Sequence, residues 1–303
     1  MKVLVTGGTG RVGSELVGAL QKKGASVRVL TRDRDKDAKT APVGAEVAVG
    51  DLLNPESVRS ALNGVDKMFL LVGNVADELT QALLTYAVVR EAKIKHVTYL
   101  SVYQAERFQD VPHFIAKQAV ETALKAFEVP FTILRPGYFF QNDLNLKDLL
   151  IGPGLFPTPI GTAGIAAVDV RDIAEAAAIS LTTDGHAGKT YNLVTHSALS
   201  GPGAAAVWTK ALGKPVNYPG VPVEAFGATA PSVHAALVCD GSQAHVPAVS
   251  GTGIRPGHCG CRRARETARP CSEALRGLRS GSRRRVAEKL ANTSTGRYER
   301  KKQ

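Results

Sequence analysis

Glycines near the start of the chain stand at a spacing that can hold a phosphate. The stretch Gly7-Gly8-Thr9-Gly10-Arg11-Val12-Gly13 lies between a short apolar run, Lys2–Thr6, and a helical stretch over residues 12–23. Gly7 allows a tight turn, Gly10 lets backbone approach a diphosphate, and Gly13 permits close helix–strand contact. The helix N-terminus adds N–H donors and the positive end of its dipole. An ordinary glycine turn would have the same composition, but the strand–loop–helix context points to dinucleotide binding.

The end of the next strand, Ser26–Thr31, selects the nucleotide. At that point, ~20 residues beyond the loop, Asp or Glu holds the ribose 2′-hydroxyl of NAD, whereas Arg accommodates the 2′-phosphate of NADP. Here the strand runs into Arg32, with Arg34 following and Arg11 in the loop as a further candidate. Asp33 competes, since a shift of one position would present a carboxylate. NADP(H) is expected, with NAD(H) as the alternative. No flavin is expected, because hydride can pass directly from a nicotinamide to an acceptor.

The elements that must position this loop alternate. Glu46–Val49 reads as a third strand, and Asn54-Pro55 opens a helix with Asn as cap and Pro at the first helical position. Residues 66–72, 96–101 and 130–135 read as further strands, separated by helices over 77–92 and 113–127. A Pro/Gly-rich stretch follows Gly152. The pattern resumes with Ala167-Val-Asp-Val-Arg-Asp172 leading into an Ala-rich helix, a strand over 189–194 and a weak helix over 204–212. The class is α/β, a Rossmann-type doubly wound parallel sheet with right-handed crossovers. Residues 1–150 are expected to form the NAD(P)-binding domain. Residues 151–228 form a small substrate-side subdomain with a strand and helix returning to the sheet, and 229–303 a basic, disordered tail.

Charge and cysteine set the tail apart. The net charge is +11, yet residues 1–240 are neutral and the whole excess lies in residues 241–303. All four cysteines, Cys239, Cys259, Cys261 and Cys271, fall in or beside that segment. The body therefore has neither a thiol nucleophile nor a disulfide framework. His258-Cys-Gly-Cys261 with Cys271 lacks paired zinc-ligand spacing, so no metal is expected. The block of positive charge reads as disorder rather than as a nucleic-acid arm. No apolar run approaches the ~18 residues of a membrane span, and only Val3-Leu4-Val5 precedes the loop, too little for a secretory signal. A cytoplasmic protein without membrane contact is expected.

Several motifs together resemble the NmrA-like branch of the atypical short-chain dehydrogenases. They are the glycine loop, Arg32, Gly50-Asp51-Leu52, His113-x-x-x-Lys117, residues 130–142 (PFTILRPGYFFQN) and Val168-Asp-Val-Arg-Asp-Ile-Ala174. The resemblance spans about residues 1–226; beyond it the Arg/Cys/Gly-rich composition looks like a shifted reading frame. It implies NADPH-dependent reduction of a small aromatic electrophile, such as a quinone, azo dye or triphenylmethane dye. It equally admits a cofactor-binding redox sensor or transcriptional co-regulator that acts through a protein partner. Nothing in the pattern specifies an oligomeric state.

The resemblance also implies roles for single residues. Gly7, Gly8, Thr9, Gly10, Arg11, Val12 and Gly13 would hold the diphosphate and Arg32 the adenosine phosphate. Asp51 and Leu52 would flank the adenine, Asp51 having a helix cap as its plainer role. Val72, Gly73 and Asn74 would line the nicotinamide side, Lys117 would reach the ribose, and Tyr138, Phe139, Phe140 and Gln141 would close over the ring. One departure matters. Typical short-chain dehydrogenases carry Tyr-x-x-x-Lys, whose lysine depresses the tyrosine pKa for proton transfer. Here His113 takes the tyrosine's place, which disfavours alcohol oxidation. Reduction of an electron-poor acceptor asks less, since the product anion can be protonated by solvent or a weak acid. His113 is the first candidate donor and Tyr103 the second.

Overall fold

Along β1 (Lys2–Thr6), Val3 and Val5 enter one apolar core while Leu4 enters another, which is the alternation a strand covered on both faces requires. A computed structural model describes residues 1–33, 42–127 and 129–220 of the protein. Arg34 and the basic tail expected over 229–303 lie outside the described residues. β2 (Ser26–Thr31), β3 (Glu46–Val49), β4 (Lys67–Leu70), β5 (His96–Leu100) and β6 (Phe131–Pro136) follow in the chain. β7 (Tyr138–Phe139) and β8 (Ala167–Val168) pair with each other, and β9 (Lys189–Leu193) returns to the main sheet. The main sheet has the order β3-β2-β1-β4-β5-β6-β9, and every pairing is parallel. It is a Rossmann-type doubly wound sheet whose order reverses between β1 and β4.

Helices cover both faces. α1 (Arg11–Lys22) and α6 (Val170–Thr182) share the core of Val3, Val5, Val29 and Phe69. α2 (Pro55–Ala61), α3 (Glu78–Glu91) and α4 (Pro112–Ala126) share that of Leu4, Met68, Leu70 and Tyr99. Asn54 caps α2, accepting from the N–H groups of Glu56 and Ser57, with Pro55 at the first position. A third, smaller core joins Tyr138, Phe140, α5 (Lys147–Ile151), Phe156 and Trp208 of α7 (Gly201–Leu212). Asp143 crosslinks it, accepting from Tyr138 Oη and from Trp208 Nε1 at 2.9 Å each. The Ala167–Asp172 run divides because Asp169 turns its side chain onto the Arg171 N–H and starts α6. α6 and β9 thus belong to the main layers, and the small core is made by segments on either side of them.

Thr6 ties the two halves of the sheet where they diverge. Its hydroxyl accepts from Leu71 N–H and donates to Leu71 C=O, both at 2.7 Å. At the amino end of β5, buried His96 shares a 2.9 Å hydrogen bond between Nε2 and Thr132 Oγ1. Burial first, then the charges of Lys67 and His186, pull its pKa from 6.5 to about 4. The unfolded chain therefore binds a proton at His96 that the fold refuses, and stability falls as pH drops from about 6.5 towards 4. The full contribution is about 3 kcal/mol. Denaturant titrations at pH 7 and pH 4.5 should show His96→Gln losing less stability between the two than the unmodified chain does. Equal losses would remove His96 as the cause.

Candidate functional site

The glycine loop crosses the carboxyl end of β1 at the point where the sheet order reverses. Gly7 has φ +65°, a left-handed conformation that favours glycine. Gly10 N–H closes the turn onto Gly7 C=O at 3.0 Å, and Gly10 becomes the N-cap of α1. No side chain caps that helix, so its first-turn N–H groups are left for a ligand. Two glycines are required by packing. A Cβ on Gly8 would stand 2.6 and 2.7 Å from the methyls of Val29. A Cβ on Gly13 would meet the Gly7 carbonyl oxygen and lie 2.6 Å from Gly8 Cα. Gly13 therefore serves contact between helix and loop backbone rather than between helix and strand. A helix N-terminus without a side-chain cap, reached through glycine backbone, fits a diphosphate.

Arg32 follows β2 directly and is exposed. Asp33 folds back on the strand end, its N–H donating to Thr31 Oγ1 at 3.3 Å. Arg11 turns the other way, to Asn142 at 3.2 Å and Asn145 at 2.6 Å. These follow β6, across β1 from β2, so Arg11 ties the loop to the segment that carries the small core. Asp51 Oδ1 accepts from Leu53 N–H at 2.9 Å, forming the turn before the Asn54 cap. Asp51 therefore shapes the entry to α2 without being its cap, and Leu52 packs half-buried beside it.

Beyond β4, Val72 is buried while Gly73 and Asn74 are exposed. Val72 C=O accepts from Lys117 Nζ at 3.1 Å. Lys117 is only 4% exposed, and its ammonium lies 3.5 Å from Glu78 Oε2 and 5.4 Å from the centre of the Tyr99 ring. Glu78 also receives His113 Nδ1, at 2.7 Å to Oε1 and 2.9 Å to Oε2. His113 and Lys117 are one turn apart on α4, and Glu78 stands in the first turn of α3. Burial pushes the Lys117 ammonium below its ordinary range, with Glu78 acting against that. Burial, then the charges of Glu78 and Glu121, push the Tyr99 phenol up, so it stays protonated. Glu78 and Tyr99 were missed in the sequence. An acid in a first helical turn reads as a partner of the helix dipole, and only the packing of α3 on α4 reveals its cation.

Other expected residues are committed to structure. Tyr138 and Phe140 are buried in the small core, and the Tyr138 hydroxyl is spent on Asp143. Gln141 donates to Asp169 at 2.9 Å and accepts from Val170 N–H at 3.1 Å. Tyr138 and Phe140 thus build the small core, and Gln141 ties the segment that carries it to the start of α6. Phe139 is half-buried against the α1/α6 core, and Tyr103, half-buried after β5, is held by its N–H to Pro136 C=O. Glu121 is fully buried at the same end of the sheet. Burial would raise its carboxyl, but bonds from Arg135 and Ser101 hold it below the ordinary range. Among the described residues no cluster of three or more metal-binding side chains occurs.

Residues 1–238 match the model of the NmrA-like family. The chain is 33% identical over 224 residues to an NAD(P)H azoreductase of Xenophilus azovorans, covering 73% of this chain and 78% of that protein. The structure of an NADPH-dependent quinone oxidoreductase from Escherichia coli, complexed with NADPH, superposes with a TM-score of 0.71 at 27% identity. The match covers 79% of this chain and 87% of that one. A Citrobacter sp. triphenylmethane reductase complexed with NADP(H) superposes with a TM-score of 0.69 at 26% identity, covering 80% and 90%.

The two packed glycines give a test of the loop. Gly8→Ala should cost about 1–3 kcal/mol by overpacking, and Val29→Ala in the same chain should recover much of it. Gly13→Ala meets backbone, so no side-chain truncation should rescue it. Thermal denaturation of the four variants, Gly13→Ala/Val29→Ala included, checks this; equal rescue of both glycines would contradict the geometry.

Proposed function

The chain belongs to the NmrA-like family, and from that premise we propose that it is an NADPH-dependent reductase of small, aromatic, electron-poor acceptors such as quinones or azo compounds. The observation that carries this reading is the N-terminus of α1, without a side-chain cap and packed directly on the glycine-loop backbone, with the Lys117 ammonium on the β4 side. When bound, NADPH supplies a hydride from its nicotinamide. The rest is the work of this chain. The Gly7–Val12 loop receives the diphosphate, chiefly on the N–H groups that open α1, and the Arg32 guanidinium pairs with the 2′-phosphate. Asp51 and Leu52 border the adenine. Val72 to Asn74 border the nicotinamide side, and Lys117, already held by Val72 C=O, turns a remaining donor to the ribose hydroxyls. His113 supplies the proton that the reduced acceptor takes up. Neither flavin nor metal enters this scheme.

NADPH should bind at least tenfold more tightly than NADH. Each charge-assisted bond from Arg32 contributes roughly 1.5–3 kcal/mol, and ~1.4 kcal/mol is a factor of ten. Fluorescence titration of both nucleotides tests this, with Arg32→Ala expected to abolish the difference. Equal affinities in the unmodified protein would assign the position to Asp33 and NADH. Steady NADPH oxidation with a quinone or azo acceptor supports the reductase. Tight binding without turnover across such a panel would make the protein a nucleotide sensor instead.

A further inference from the structure

We propose that Glu78 is a positioning residue: a single buried carboxylate that orients the imidazole of His113 and keeps the ammonium of Lys117 charged, so that proton delivery and cofactor grip depend on the same group. The inference rests on the reductase reading for its chemistry, but its geometry is independent of it. Glu78 is 6% exposed, and its two oxygens face His113 Nδ1 and Lys117 Nζ, both belonging to the candidate site. The other buried acid on these helices is different. Glu121 is saturated by Arg135, Ser101 and Lys125, none of them a candidate for the reaction.

The bond at Nδ1 fixes the ring chemically. With Nδ1–H donating to the carboxylate, Nε2 is the remaining site for a second proton, the one that can be passed on. Hydride addition to the acceptor leaves an anion on its oxygen or nitrogen. The Nε2–H bond then breaks as the new O–H or N–H bond forms, and the neutral ring is reprotonated from solvent. The acceptor has gained one hydride and one proton. On the Lys117 side, Glu78 is the acid that opposes the effect of burial. Around the group, α3 offers Glu78 and β5 offers the Tyr99 ring. On β6, Arg135 is committed to Glu121 and Glu106, and on α4 Lys125 also pairs with Glu121.

Three measurements test the assignment. In the ligand-free, unmodified protein, nitrogen-15 NMR of the neutral His113 ring should show the proton on Nδ1. A ring protonated on Nε2 would overturn the proposal with no variant needed. In Glu78→Gln, which is nearly isosteric, the His113 Nδ1 proton should move upfield as its charge-assisted bond is lost. NADPH affinity, followed by fluorescence from pH 6.5 to 10, should fall in Glu78→Gln at a pH at least one unit below that for the unmodified chain, because Lys117 loses its supporting carboxylate. The kcat for a quinone should drop about tenfold, KM should change less than twofold, and adding His113→Ala should cost nothing more. Unchanged affinity profiles, or additive losses in kcat, would reduce Glu78 to a structural acid. Should the unmodified protein turn over no acceptor while the NMR and affinity results hold, the reductase reading falls and the positioning role of Glu78 stands.

Discussion

The first turn of α1 can lie over the carboxyl end of β1 only if its backbone touches the backbone of the loop. That contact, between Gly13 and the Gly7–Gly8 peptide, leaves no room for even a methyl group. It decides the direction of α1, and with it the core that α1 builds with α6 and the inner face of β1 and β2. It also leaves the helix dipole pointing at open backbone donors where the sheet order reverses. Thr6 holds the other side of that crevice by clasping the Leu71 peptide of the neighbouring strand. The glycines therefore both permit the packing and create the anion site.

Buried charge in this fold falls into two kinds. Some groups are closed on themselves. Glu121 with Arg135, Asp169 with Arg171 and Gln141, and Asp143 between Tyr138 and Trp208 satisfy one another, and the Gln141–Asp169 and Asp143–Trp208 bonds join elements far apart in sequence. Replacing such pairs by apolar residues is often neutral in energy, so their value lies in fixing how the parts meet. The Glu78–Lys117–His113 group is of the other kind. Lys117 is buried as well, but it spends one donor on Val72 C=O, just beyond β4, and leans on Glu78 at 3.5 Å. A costly buried ammonium of that sort is understandable where a polar ligand completes its partners.

What could be read in the sequence follows from how local each constraint is. The glycine loop, the Asn54-Pro55 helix start and the strand–helix alternation are set by a few neighbouring residues, and they appear where the chain predicts them. The one-turn spacing of His113 and Lys117 is equally local. Glu78 is not, since it pairs with a histidine 35 residues later and only through the packing of α3 on α4. Tyr138, Phe140 and Gln141 show the same dependence on distant partners. Aromatic and amide residues after a strand suit either a ring cover or a core, and only the positions of Asp143, Trp208 and Asp169 decide for the core. The partners of Arg11 are equally hidden from the sequence, because both asparagines lie more than 130 residues away, in the segment after β7.

A crystal structure of the complex with NADPH should show the diphosphate against the first-turn N–H groups of α1, the 2′-phosphate beside Arg32, and Lys117 Nζ on a ribose hydroxyl while Glu78 still holds His113 Nδ1. A nucleotide bound away from this loop, or one bound there with Lys117 reaching only Val72 and Glu78, would contradict that placement.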